Sequence, residues 1–191
     1  MRIGVVSDIH GNAAALSRAI EVMGSVDELL CLGDSISEYR FSNETVALLR
    51  DRNVLTIVGN HEERFFGELG ARTRTAPWIA PELMSWLAAQ PPRRRILRAG
   101  RELLLVHSTP WPSDSAYVCA HHGEFSRFGD TSTDIVLYGH THVPVVRRVK
   151  NTLVVNPGSA GEAQEVDGRT ELSCAVLDVA TLDAEIIRFS L

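Results

Sequence analysis

Three times in its first sixty residues the chain runs a short apolar stretch into a polar, glycine-bearing string. Arg2 to Ser7 is a β-branched run leading into Asp8, His10 and Gly11, and Ala13 to Met23 then carries Leu16, Ile20 and Met23 at helical spacing. Glu28 to Leu32 reads as a buried strand ending at Gly33 and Asp34, with a helix over Asn43 to Arg50 behind a polar capping segment. Val54 to Val58 is a third strand, ending at Gly59 and Asn60. Strand alternating with helix is the signature of a parallel sheet, whose strands end along one common edge. Residues far apart in sequence therefore converge on one crevice.

The later chain extends this pattern and then changes it. Glu62 to Leu69 and Pro81 to Ala89 read as two helical pieces, joined by a looser link around Arg72 and Arg74. Glu102 to Val106 is another apolar strand, ending at His107, and Gly123 to Gly129 is a short helix. Ile135 to Tyr138 is a strand that runs into Gly139, His140 and His142. Val143 to Val149 and Thr152 to Asn156 form a hairpin about Lys150 and Asn151, followed by strands near Ser173 to Asp178 and Ala184 to Phe189. With 191 residues, 45% of them hydrophobic, and no internal repeat or linker, the expectation is a single domain over 1–191, with a cap-like helical insertion at about 62–92.

The polar strings share a chemistry. Five of the seven histidines, His10, His61, His107, His140 and His142, lie in them, together with Asp8, Asp34 and Asn60. Carboxylate, amide and imidazole donors suit hard and borderline divalent cations, and no cysteine stands among them, which disfavours a thiolate zinc site. Asp8 and His10, two residues apart, can face one cation whether the strand continues through them or turns. His140 and His142 repeat the arrangement, or a turn splits them between two cations. Asp34 has two oxygens and is the natural bridge between cations about 3.5–4 Å apart. Asn60 offers an amide oxygen that binds a cation without adding negative charge.

The ordered series Asp8-x-His10, Gly33-Asp34, Gly59-Asn60-His61-Glu62, a lone His107 and Gly139-His140-x-His142 resembles the calcineurin-like metallophosphoesterase superfamily. The small size and the string from Val154 to Glu162 are most similar to its compact bacterial and archaeal phosphodiesterase-type branch. The resemblance implies a four-layer α/β/β/α sandwich, two mixed sheets face to face with helices outside. It implies that Asp8, His10 and His142 hold one metal, that Asn60, His107 and His140 hold the other, and that Asp34 bridges them. His61 would be the nearby imidazole that is not a ligand. The expected cofactors are two divalent ions, manganese first, with iron, zinc or nickel as alternatives, and the catalytic residues are His61, Asn60 and Asp34.

The reaction expected of such a site is hydrolysis of a phosphodiester or phosphomonoester of a small molecule by a metal-bridging hydroxide. His61 then stabilises the developing charge or hands a proton to the leaving alkoxide. Phosphoprotein phosphatases and diadenosine tetraphosphatases carry a second aspartate after the Gly-Asp string, and Ser37 stands at that position here, so either Glu38 or another acid supports His61 or the imidazole is a weaker acid. The alternative is a catalytically silent scaffold for protein–protein contacts, as in the retromer subunit that resembles this family; silent members commonly lose ligands that are all present here.

Composition narrows the partners. A net charge of -5 gives no general pull toward nucleic acid polymers, which counts against a nuclease. Three widely spaced cysteines suit reduced core thiols and a cytoplasmic setting. Neither a signal peptide nor a membrane span is expected, and a homo-oligomer stays open. Asn12 is expected to cap the first helix, and the turn from Asn156 to Ser159 to brace the metal loops. His121 and His122 read as solvated or capping residues, and Trp111 as shaping the mouth of the pocket.

Overall fold

The computed structural model describes residues 1–112, 116–166 and 168–191. Two mixed sheets face each other. The first runs β11 (Asp183–Phe189), β10 (Arg169–Asp178), β1 (Arg2–Val6), β2 (Glu28–Cys31) and β3 (Leu55–Thr56), with β9 (Gln164–Val166) paired to β10. The second runs β4 (Arg93–Arg98), β5 (Arg101–Val106), β6 (Ile135–Leu137), β8 (Thr152–Asn156) and β7 (Val145–Val149). Within them β1, β2 and β3 are parallel, as are β5, β6 and β8. Antiparallel strands flank each parallel set.

Alternation along the strands builds the layers. Ile3, Val5, Leu30, Leu32 and Ile57 of the first sheet meet Leu103, Leu105, Ile135, Leu137 and Val155 of the second in a buried core between the sheets. The opposite faces of the same strands pack outward. Val6, Cys31, Cys174 and Val176 lie against Leu16, Ala19 and Met23 of α1 (Ala13–Met23) and Leu49 of α2 (Asn43–Asp51). Leu104, Val136, Tyr138 and Val154 lie against Phe125 and Phe128. That outermost piece, Gly123–Asp130, is a 3-10 helix, where the sequence suggested only a short helix.

The segment following β3 holds α3 (Asn60–Phe66) and α4 (Pro81–Ala88). It packs on α2 through Phe65, Ile79, Leu83 and Leu87 against Phe41 and Val46. Helix α3 starts two residues before the expected Glu62 because the Glu62 carboxylate reaches back to the Gly59 N–H, 2.8 Å away, and caps the first turn. Asn60 and His61 are thus held by helical backbone. The third strand is shorter than expected, and β4 and β9 were not anticipated. Among the described residues no helix is long and apolar enough to cross a membrane.

Candidate metal centre

The parallel strands of both sheets deliver the polar strings to one edge. Asp8 follows β1, Asp34 follows β2, Asn60 opens α3 just after β3, His107 follows β5, and His140 and His142 follow β6. Backbone hydrogen bonds knit these loops together. Ile9 and His10 donate to the Asp34 carbonyl at 2.8 and 2.9 Å, Asp8 donates to Gly33 at 3.1 Å, and Gly139 donates to His107 at 2.9 Å.

The loops are tight enough to strain the chain. Asp8, His10, Asp34, His140 and His142 all have positive φ, between 50 and 65°. For residues with a Cβ this left-handed conformation costs roughly 1–2 kcal/mol each, and such strain gathers where a site over-determines the backbone. Two glycines of the strings serve a different need, close approach. A Cβ on Gly59 would stand 2.3 Å from Asp34 Oδ1, and one on Gly139 would stand 1.9 Å from Ser7 Oγ and 2.7 Å from Asp8 Oδ2.

Donor atoms converge in two clusters. In the first, Asp8 Oδ1 lies 3.2 Å from His142 Nε2, and His142 Nε2 lies 3.2 Å from His10 Nε2. In the second, His107 Nε2 lies 3.1 Å from both Asp34 Oδ2 and Asn60 Oδ1. Asp34, His107 and His140 form one set of mutually close ligand atoms, and Asp8, His10 and His142 another. A third set, His10, Asp34 and His61, places Asp34 in touch with both sides. All seven residues expected to bind metal, and His61, thus come together.

The clusters fit divalent cations on their own polar geometry. Asp8 is fully buried; its Oδ2 accepts from the His140 N–H at 3.0 Å, but its Oδ1 receives no hydrogen bond among the described residues. Its close polar neighbour is His142 Nε2 at 3.2 Å, and a cation among Asp8, His10 and His142 would draw this buried carboxylate and both imidazoles onto itself. His107 donates through Nδ1–H to the Leu32 carbonyl at 2.8 Å, which leaves Nε2 facing Asp34 and Asn60 as a ligand nitrogen should.

The charged groups of the site act strongly on one another. Burial works against ionising Asp34, but the His107 imidazole beside it prevails and holds the carboxyl below the usual range. Burial likewise lowers His107, yet the Asp34 carboxylate raises it to about 10. His142 is raised, with Asp8 overcoming burial, whereas burial prevails at His10 and lowers it.

Two acids complete the site. Glu38 Oε2 stands 2.5 Å from His61 Nδ1, and Arg64 approaches the same oxygen at 3.5 Å. The Glu38 N–H is also 3.3 Å from that nitrogen. The shorter carboxylate contact makes Nδ1 the protonated nitrogen, so Nε2 turns toward Asp34 Oδ2, 3.9 Å away. The expected support for His61 is therefore Glu38, one residue past Ser37. Glu62, for which the sequence suggested no role, is fully buried and accepts from the N–H groups of Asp34, Ser35, Ile36 and Gly59 and from Ser35 Oγ. Burial and Asp34 push its carboxyl up, while those five donors favour the ionised form that locks the second and third strings together.

Further residues singled out in the sequence stand around this centre. Ser159 Oγ donates to the Asp8 carbonyl at 2.7 Å, and Asn156 Nδ2 donates to Gly139 at 2.7 Å, so the turn does brace the ligand loops. Asn12 Oδ1 accepts from Ala15 N–H and caps α1. His122 Nδ1 accepts from the Glu124 N–H and caps the 3-10 helix. Trp111 lines a cleft of about 200 Å³ with Asn60, His107 and Arg93. Arg74 is structural, bonded to the Phe65 and Gly67 carbonyls.

Comparison with known proteins bears on the family and the fold. A family model described as the calcineurin-like phosphoesterase superfamily domain matches residues 1–182. An uncharacterized protein of Methanocaldococcus jannaschii is 27% identical over 215 residues, covering 97% of this chain and 86% of that protein. A phosphodiesterase of the same organism is 23% identical over 168 residues, 83% of each chain. A metallophosphoesterase structure from Sphaerobacter thermophilus superposes with a TM-score of 0.75 at 24% identity, covering 100% of this chain and 89% of that one.

Proposed function

The chain belongs to the calcineurin-like phosphoesterase superfamily, and on that premise we propose that it is a two-cation phosphoesterase acting on a small phosphate ester. The observation that carries the reading is the convergence of Asp8, His10 and His142 on one side and Asn60, His107 and His140 on the other, with Asp34 between. When bound, a pair of divalent cations such as manganese supplies Lewis acidity to the phosphoryl oxygens and an acidified water as nucleophile.

The protein's own part is orientation and proton handling. Backbone N–H groups of His140 and His61 each hold one oxygen of Asp8 and Asp34, fixing both carboxylates. Asn60 contributes an oxygen without charge, which keeps the site attractive to an anionic ester. His61, gripped at Nδ1 by Glu38, presents Nε2 to the centre, and as the imidazolium, with a proton on each nitrogen, it can deliver the Nε2 proton to the departing alkoxide and be left as the neutral Nδ1–H ring. The complete donor set and this His61–Glu38 pair favour catalysis over a silent scaffold, and the phosphodiesterase relative favours diesters among the substrates to be tried first.

A matrix of metals and substrates tests the reading. The metal-free chain is reloaded with manganese, iron, zinc, nickel or magnesium and assayed on aryl phosphate mono- and diesters, cyclic nucleotides and dinucleotides. Metal-dependent turnover that disappears in Asp34→Asn is the expected result. Absence of hydrolysis with every metal defeats the proposal.

A further inference from the structure

Glu162 stands beside the first donor cluster without belonging to it. Its Oε2 is 3.5 Å from His142 Nδ1 and 3.9 Å from His10 Nε2, while the convergent donor set is Asp8, His10 and His142 alone. Among the described residues no arginine or lysine pairs with it; its ion-pair neighbours are those two histidines. Its side chain is 55% exposed, so fold stability does not account for its placement.

The backbone carrying Glu162 is tied to Asp8 itself. Ser159 Oγ and the Gly161 N–H both donate to the Asp8 carbonyl, at 2.7 and 3.1 Å, and the Glu162 N–H donates to Ser159 Oγ at 2.8 Å. Asn12 Nδ2 holds the Gly161 carbonyl at 3.1 Å. Gly161 passes so near the first loop that a Cβ there would meet the Ile9 carbonyl oxygen at 1.7 Å. Position 162 is therefore set relative to the cluster through Asp8.

We propose that Glu162 is a positioning residue for the cation held by Asp8, His10 and His142. Its carboxylate, 3.5 Å from His142 Nδ1, is placed to draw the proton to that nitrogen and so to hold the lone pair of Nε2 toward Asp8 Oδ1 and His10 Nε2. A carboxylate behind a ligand imidazole fixes its tautomer and orientation and strengthens it as a donor. This inference rests on the two-cation reading of the site.

Manganese titration of the full chain compares wild type, Glu162→Ala and Glu162→Gln, with nitrogen NMR of the histidine side chains in the metal-free protein as a second readout. Glu162→Ala is expected to lose about 10- to 100-fold in affinity for one of two bound ions, and to lose the protected Nδ1–H signal of His142. Glu162→Gln, whose amide oxygen still accepts, recovers most of both. If Glu162→Ala binds both ions as wild type does, the positioning role is overturned and the two-cation reading stands. Equal losses in the alanine and glutamine variants would also overturn it, because charge rather than the hydrogen bond would then be responsible. Failure of the wild type to bind manganese overturns both.

Discussion

Glu38 Oε2 lies 2.5 Å from Nδ1 of His61 and commits that ring to face the centre with Nε2. Glu38 therefore acts through His61. Replacing His61 by alanine is expected to lower kcat by about 10²–10⁴, and more on alkyl than on nitrophenyl esters, whose leaving group needs less help. Glu38→Ala is expected to cost about 10- to 100-fold, the worth of a charge-assisted hydrogen bond. Steady-state assays of the double variant should match His61→Ala alone; losses that multiply would show an independent role for Glu38.

Uptake of metal depends on pH with a definite sign. His107 is raised to about 10 in the metal-free protein, against the pull of burial, by the carboxylate of Asp34. At neutral pH it carries a proton that a cation must displace, so affinity rises with pH over the range from about 6 to 9, by up to about tenfold per unit for each proton released. Calorimetry in buffers of different ionisation heat should detect proton release. A flat affinity across that range contradicts the pairing of His107 with Asp34.

Close approach makes two glycines indispensable. Gly59→Ala would press a methyl group against Asp34 Oδ1, and Gly139→Ala against Ser7 Oγ and Asp8 Oδ2. Each is expected to lower stability by about 1–3 kcal/mol and to abolish tight metal binding. Gly123, with nothing within 4 Å of a new Cβ, is the control, and its alanine variant should stay within about 0.5 kcal/mol of the parent. Denaturant midpoints and metal titration check all three.

Left-handed backbone at five residues of the site is a cost that the folded chain carries. Cation binding to the folded state offsets it. Manganese at a thousandfold excess over its Kd is expected to stabilise the fold by about 4 kcal/mol, seen as a rise in Tm that chelation reverses. An unchanged Tm would mean that the folded state does not bind the ion selectively.

The strings that meet at the site were legible because each follows a short apolar strand, and parallel strands must end together. Their exact backbone was not. Positive φ at Asp8 or His142 arises from loop-to-loop hydrogen bonds, such as that of Ile9 with Asp34, which have no local signature. Strand β4 has no clear sequence signature because Arg93 to Arg98 lies at a sheet edge and, of its apolar residues, Ile96 packs on the core between the sheets while Leu97 is exposed. The early start of α3 depends on the Glu62 carboxylate, whose partners at Asp34 to Ile36 come from a different strand end. Glu38 could be named as a candidate, but its grip on His61 needs α3 and the second loop brought side by side.

If eight side chains from five strand ends enclose two cations, anomalous scattering from crystals of the manganese-loaded protein shows it most directly. Two peaks about 3.5–4 Å apart are expected, one among Asp8, His10 and His142, the other among Asn60, His107 and His140, with Asp34 touching both and His61 touching neither. A single peak, or peaks elsewhere with these side chains unliganded, would contradict it.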